Sequence, residues 1–443
     1  MYLFRHQFLQ HILVIGGLLL SQWALAEGSR GSQQDLMNLV NDLVQQPTQS
    51  QSAEPHASTG SQPLFSDTVS QTTKQWDSKI NHIQNSPETV RARVVSLNQG
   101  SSLNKSFQGS SAVLNLFPGV EVPLRQPQMK RFDDRLQGIV QDSAESTVVV
   151  ISDGAQLDAS IHHQGRYYQV HSLGNSQHLI VEKDLRKLPP EHPPSGERKQ
   201  FDFNSLFDRS LAGPPEIDTS HPEAPVVIRT LVVYTPDAEN EAANIKRTIK
   251  LALKESNVGY EQSGVRMRLR PTQITRINYQ ESGDMEVDLS RLTEKADNYM
   301  DEIHALRDQT KSDIVVLVTR KSNYCGIASD IYADESRAFA VVGHNCATGY
   351  YSFAHEIGHL MGARHDHHVD PSTKPFPFAH GAISPDQQWR TIMAYGNACQ
   401  NCKRINRWSS PDVKWQNSPT GQSLQADNAR ALNIAASIMS AYR

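Results

Sequence analysis

Residues 353 to 366 read Phe-Ala-His-Glu-Ile-Gly-His-Leu-Met-Gly-Ala-Arg-His-Asp, and this stretch constrains the chain more than any other. It satisfies H-E-x-x-H-x-x-G-x-x-H at every specified position. Residues four apart share one face of a helix, so His355 and His359 can offer imidazole nitrogens to a single ion at about 2.0–2.1 Å. Glu356 then projects beside that ion. Gly362 tolerates left-handed backbone angles, which ends the helix and folds the chain back so that His365 supplies a third ligand. Three ligands with a fourth position open for water are the pattern of a catalytic zinc site, whereas a structural site closes that position and needs no general base. With 18 His and 25 Gly in 443 residues, chance occurrence of the motif is on the order of 10⁻⁴.

The length predicts two or three structural units. Basic and acidic residues nearly balance, 43 against 47, so no nucleic-acid or anionic-membrane partner is indicated. At the N-terminus, Arg5 and His6 precede an apolar run from Ile12 to Leu20, followed by Ala24-Leu25-Ala26. Charged, apolar and small-residue regions in that order predict a secretory signal peptide over 1–26. The apolar run is far short of the roughly 20 residues needed for a membrane span, and no later segment is long enough either. The expected location is extracellular, with periplasmic transit or retention left open.

Export makes disulfides expected from the four cysteines, Cys325, Cys346, Cys399 and Cys402. Of three pairings, Cys325 with Cys346 and Cys399 with Cys402 is preferred, because each would staple a loop beside the histidine motif. A redox pair or half of a second zinc site has no supporting pattern.

Composition divides the rest. Residues 27–85 are rich in Ser, Gln and Thr and are expected to be mostly disordered. Short β-like runs over 86–190 predict a small antiparallel domain, and the prolines of 191–225 a linker. From 226 to 443 strand and helix signals alternate. Strands are predicted at 226–234, 265–269 and 313–319, helices at 237–256, 287–309 and 425–442, and a short edge strand at 339–343. An extended peptide would pair with that last strand. His367 and His368 lack metal spacing and read as loop residues; His162, His163 and His171 have no partners at metal spacing.

The histidine motif is the signature of the metzincin metalloproteases, and Thr391-Ile-Met393-Ala-Tyr395 resembles their Met-turn. Over residues 226–443, Thr230-Leu-Val-Val-Tyr-Thr-Pro236, Cys325-Gly-Ile-Ala-Ser-Asp330 and Gly421-x-x-x-x-Ala-Asp427-Asn-Ala-Arg430 look like the bacterial reprolysin-like peptidases, a group that includes the peptidyl-Asp metalloendopeptidases. Asp366 after the third histidine is similar to reprolysins, while Tyr395 is similar to astacins and serralysins. The resemblance implies an α+β catalytic domain with a twisted mixed sheet, long helices and one zinc ion in the cleft; calcium is undetermined. It implies hydrolysis of internal bonds of protein or peptide substrates, with Glu356 as general base, Tyr395 as a second catalytic group and Met393 beneath the metal. Lys403, Arg404 and Arg407, after the Met-turn, would line the pocket beyond the cleaved bond and favour acidic side chains. Residues 27 to about 225 would be a prosegment acting as an intramolecular inhibitor. They contain no cysteine, so a thiolate cannot cap the metal and latency needs another donor or steric cover.

Overall fold

The computed structural model describes residues 62–67, 74–98, 112–124, 130–131, 137–143, 145–153, 156–192, 224–320 and 322–443. The expected leader, the low-complexity tract as far as residue 61, and residues 193–223 of the expected linker lie outside the described residues.

The N-terminal half contains β1 (Gln62–Pro63), β2 (Phe65–Ser66), α1 (Lys74–Gln84), β3 (Thr89–Leu97), β4 (Ala112–Phe117) and β5 (Val120–Leu124). Six more strands follow, β6 (Lys130–Arg131), β7 (Gln137–Asp142), β8 (Ser146–Ser152), β9 (Leu157–His163), β10 (Arg166–Gly174) and β11 (Gln177–Lys183). The main sheet has the order β2-β3-β11-β10-β9-β8-β7-β6, with every neighbouring pair antiparallel. Alternate residues of these strands, among them Val148, Val150, Ile161 and Val170, meet Leu114, Leu116, Val122 and Leu124 of the smaller β1-β4-β5 sheet in one core. Helix α1 lies inside the tract expected to be disordered. Ile80 and Ile83, with Trp76, form an apolar stripe that packs on Leu179 and Val181, a periodicity that an average over the surrounding Ser, Gln and Thr conceals.

The C-terminal half is built on β12 (Val226–Tyr234), α2 (Pro236–Glu241), α3 (Ile245–Gln262), β13 (Met267–Arg276), α4 (Met285–Thr293), α5 (Glu302–Gln309), β14 (Ile314–Thr319), β15 (Gly326–Ala328), β16 (Phe339–Gly343) and α6 (Ser352–Leu360). Beyond α6 come β17 (Trp389–Arg390), β18 (Lys403–Arg404) and α7 (Asn428–Met439). The central strands are apolar on both faces because both are covered. Val232, Val316 and Val342 face α3, α6 and α7, while Leu231, Val315 and Val341 face α4 and α5.

Two helices expected to be continuous are divided by local caps. Thr235 Oγ1 accepts the Ala238 N–H to start α2, and Asn244 Oδ1 accepts the Arg247 N–H to start α3. Between α4 and α5 the Asp301 carboxylate accepts the N–H groups of Ala296, Asp297 and Asn298, and Ala296, Asn298 and Met300 adopt positive φ.

The strand order β13-β12-β14-β16-β15 corrects the expectation for 339–343. β16 lies inside the sheet, parallel to β14 and covered by antiparallel β15, so Gly326–Ala328 is the edge. A three-residue strand beginning with glycine carries almost no alternation for sequence reading to detect.

The two halves pack together, and residues 60–443 group as one compact unit. Val149 and Ile151 of β8 meet Leu251 and Val258 of α3. Around that contact Arg247 pairs with Asp153 at 2.7 Å and with Asp158, and Gln169 Nε2 donates to Thr348 Oγ1 at 2.7 Å.

Candidate metal centre and catalytic cleft

Helix α6 is buried along its whole length, and the 3.6-residue period puts His355 and His359 on one face with Glu356 beside them. Gly362, at φ +92°, turns the chain out of the helix and brings His365 back. The Nε2 atoms converge: His355 and His365 stand 3.2 Å apart, and His359 and His365 3.0 Å. A fourth imidazole completes the group, His192, whose Nε2 is 3.1 Å from that of His355 and 3.0 Å from that of His359.

The far ring nitrogens decide the chemistry of this cluster. His359 Nδ1 donates to Ala363 O at 2.9 Å and His192 Nδ1 to Gly326 O at 3.0 Å. His355 Nδ1 lies 3.0 Å from Ile392 O, an oxygen that also accepts from Arg404, and 2.7 Å from Arg404 Nη2. A carbonyl only accepts, so His359 and His192 carry their proton on Nδ1 and turn a bare Nε2 lone pair inward. Several lone pairs at 3.0–3.2 Å repel one another unless a cation lies among them. A tetrahedral zinc with nitrogens at about 2.0–2.1 Å separates them by about 3.3–3.4 Å, so the donor set fits that ion. His355 is held well below the ordinary imidazole range, chiefly by burial and then by the Arg404 guanidinium and the neighbouring imidazoles. It is therefore neutral, as a metal ligand must be.

Glu356 is fully buried, and its Oε1 lies 3.8 Å from His192 Nε2. The carboxylate therefore faces the fourth corner of the cluster. Gly326 of the edge strand presses on it: a Cβ there would stand 2.6 Å from Glu356 Cγ and Oε1. Met393 is fully buried under the helix, packed in one core with Ile357 and Trp408. Tyr395 sets its ring edge-on to His365, with centroids 4.5 Å apart. Asp366 accepts the Tyr395 N–H at 2.8 Å and the His368 N–H at 3.1 Å. His367 and His368 are exposed.

Of the three cations expected to line the pocket, Arg404 stands beside the histidine cluster, with its Nη2 2.7 Å from His355 Nδ1. Arg404 is buried, pairs with Glu191, and donates to Tyr350 O at 2.7 Å. Glu191 also accepts from Ser352 Oγ at 2.9 Å. Arg407 pairs instead with Asp142 of the N-terminal sheet, and Lys403 lies 5.6 Å above the Trp415 ring. A cation the sequence reading missed, Arg390, is buried beside Arg404 and held down to about 10, by burial first and then by that neighbour. The cysteines pair as Cys325–Cys346 and Cys399–Cys402.

Glu191 and His192, placed in the expected linker, are buried beside the histidine cluster, and the His192 imidazole stands at the corner expected to be left open for water. The signal was present: Glu191-His192 is bracketed by Pro189-Pro190 and Pro193-Pro194, which favour extended backbone. Only the partners were out of reach of sequence reading, since His192 is 163 residues from His355.

A buried histidine cluster, two of its members on one helix over a mixed sheet, could hold a metal ion, and the class of protein follows from comparison with known families. The family described as Reprolysin_5, Metallo-peptidase family M12, matches residues 225–409. A peptidyl-Asp metalloendopeptidase of Stenotrophomonas maltophilia (strain K279a) is 38% identical over 325 residues, spanning 71% of this chain and 76% of that protein. Another, from Xanthomonas campestris pv. campestris, is 37% identical over 300 residues, 67% of this chain and 70% of its own. Metalloproteinase-II from Bacteroides fragilis aligns over 58% of this chain and 81% of its own at 11% identity, with a TM-score of 0.35. The chain belongs to the reprolysin-like M12 metallopeptidases and is a metalloendopeptidase.

Proposed function

We propose that this chain is a secreted zinc endopeptidase made as a proenzyme, with His355, His359 and His365 as the metal ligands and Glu356 as the general base. The observation that carries the reading is the convergence of the histidine Nε2 atoms, with the Nδ1 protons of His359 and His192 committed to backbone carbonyls. His355, His359 and His365 would hold a zinc ion, which would supply Lewis acidity toward a peptide carbonyl and its attacking water. Glu356, aimed at the fourth corner, takes the proton of the attacking water and returns it to the leaving amine. Tyr395, beside His365, steadies the developing oxyanion. The substrate pairs its backbone with β15, the sheet edge along the cleft.

Buried Arg404 and Arg390 favour an acidic side chain next to the cleaved bond, in line with the peptidyl-Asp activity for which the relatives are named. Residues 27 to about 225 are the prosegment. The expected leader over 1–26 and the two disulfides support export. No helix among the described residues is long and apolar enough to cross a membrane.

The test is casein hydrolysis by the processed enzyme and by Glu356→Ala, with zinc measured in both. Loss of hydrolysis with one zinc retained is expected. Equal activity of the two proteins removes Glu356 from the mechanism.

A further inference from the structure

We propose that Glu191–His192 is an internal inhibitor, with His192 as the fourth ligand of the metal in the precursor and Glu191 filling the Arg404 pocket as the acidic side chain of a substrate does. The proposal rests on the three-histidine metal site argued above and assigns the donor that a cysteine-free prosegment requires.

The segment lies along the substrate's path. Gly326 N, at the start of β15, donates to Glu191 O at 3.2 Å, and Cys325 N, one residue before the strand, donates to Pro190 O at 2.8 Å, so the segment occupies the N-terminal end of the sheet edge. His192 continues into the metal cluster. Its ring is oriented by the Gly326 carbonyl, as a ligand's second nitrogen is oriented in metal sites generally. The Glu191 carboxylate is held by Arg404 and by the Ser352 hydroxyl. Both residues are almost completely buried, at 2% and 3% exposure. A buried carboxylate is tolerated only when paired, and an imidazole nitrogen packs against two others only around a shared cation.

The same arrangement explains why the segment is not a substrate. An imidazole, and no peptide carbonyl, stands at the metal corner, and Glu356 Oε1 faces that imidazole at 3.8 Å where it would otherwise face water. The flanking prolines restrict the free segment to extended conformations, which lowers the entropy lost on docking. His192 is joined to the N-terminal sheet through the short stretch after Lys183, where β11 ends. The sheet's own contacts with α3 hold the latch in place.

The test uses the full-length chain carrying Glu356→Ala, so that it cannot process itself, loaded with Co²⁺ in place of zinc. Azide, a small anion that needs an open coordination position, is titrated against the visible absorption. The chain with His192 should resist azide, and His192→Ala should bind it at least about tenfold more tightly. Equal azide affinities would overturn the assignment. Glu191→Gln should loosen the latch and shift the azide response in the same direction; an unchanged response removes Glu191 from the proposal. X-ray absorption of the zinc-loaded chain with His192 intact guards against misfolding of the variants. Four imidazole ligands are expected, and three with one oxygen overturn the proposal. Failure of every form to hold one metal ion would count against the three-histidine site itself, a separate outcome.

Discussion

Asp366 Oδ2 accepts the backbone N–H of Tyr395 at 2.8 Å, tying the residue after the third histidine to the turn that follows Met393. The bond joins two loops that reach the metal cluster from different parts of the chain. It fixes where His365 stops and where the Tyr395 ring begins.

Asp366→Ala should therefore weaken metal binding without unfolding the protein. Loss of a positioning hydrogen bond next to a ligand typically costs about 10- to 100-fold in affinity. Competition with a chelator measures it, and Asp366→Asn, which keeps an acceptor oxygen, should recover much of the loss. Unchanged affinity in Asp366→Ala would sink the prediction.

Gly326→Ala places a methyl group 2.6 Å from Glu356 Cγ. Either the edge strand or the carboxylate must move, at a stability cost of about 1–3 kcal/mol. Hydrolysis by the processed enzyme should fall by about 100-fold or more, since misplacing a catalytic group by one ångström has that order of effect. Metal content should stay at the wild-type level; a variant with normal turnover contradicts the close contact.

Arg404→Gln should level the enzyme's preference between peptides that differ only by Asp against Asn beside the cleaved bond. The kcat/KM ratio should drop by about 10-fold or more, the scale of a lost charge-assisted contact. Arg404 also donates to the Ile392 carbonyl that orients His355. Metal content must be measured alongside, so that lost selectivity is separated from a lost ligand. An unaltered Asp-to-Asn ratio in a metal-replete variant assigns selectivity elsewhere.

Glu255 predicts a pH dependence of the precursor. Its carboxyl is buried between α3 and the N-terminal sheet, accepting from Ser160 Oγ at 2.5 Å and from Gly349 N at 2.8 Å, with the Tyr167 and Tyr351 hydroxyls nearby. Burial raises it from 4.5 to about 7, against those two hydrogen bonds. A carboxyl raised on folding favours the protonated form, so its stabilisation is complete below about 4.5 and is lost as pH rises through about 7. The span is worth about 3 kcal/mol at most. His162 and His171, lowered by burial to about 3, and His178, lowered by burial to about 4, act oppositely and destabilise as pH falls below 6.5. The contribution of Glu255 is therefore read as a difference: the thermal stability of the precursor relative to Glu255→Gln should fall as pH rises from 5.5 to 8. An equal slope in the variant places the titrating group elsewhere.

His355, Glu356, His359, Gly362 and His365 were legible because their geometry is local: one helical turn and one glycine bend set their relative positions. Arg404 was legible only as one of three nearby cations. Lys403 and Arg407 share its sequence neighbourhood, but β18 and the loop after it point them to Trp415 and Asp142. The edge strand was misassigned because β16 and β15 differ in sheet position, a property of pairing that neither run encodes alone.

The amino-acid order by itself determined the metal-binding helix, the turn to the third ligand and the apolar strands beneath them, since short-range periodicity and backbone preference suffice for each. Tertiary structure alone decided what fills the fourth corner. His192 and Glu191 become site residues only when the N-terminal sheet packs on α3 and β15 offers its open edge, because burial, ion pairing and convergence of lone pairs are properties of spatial neighbours far apart in the chain.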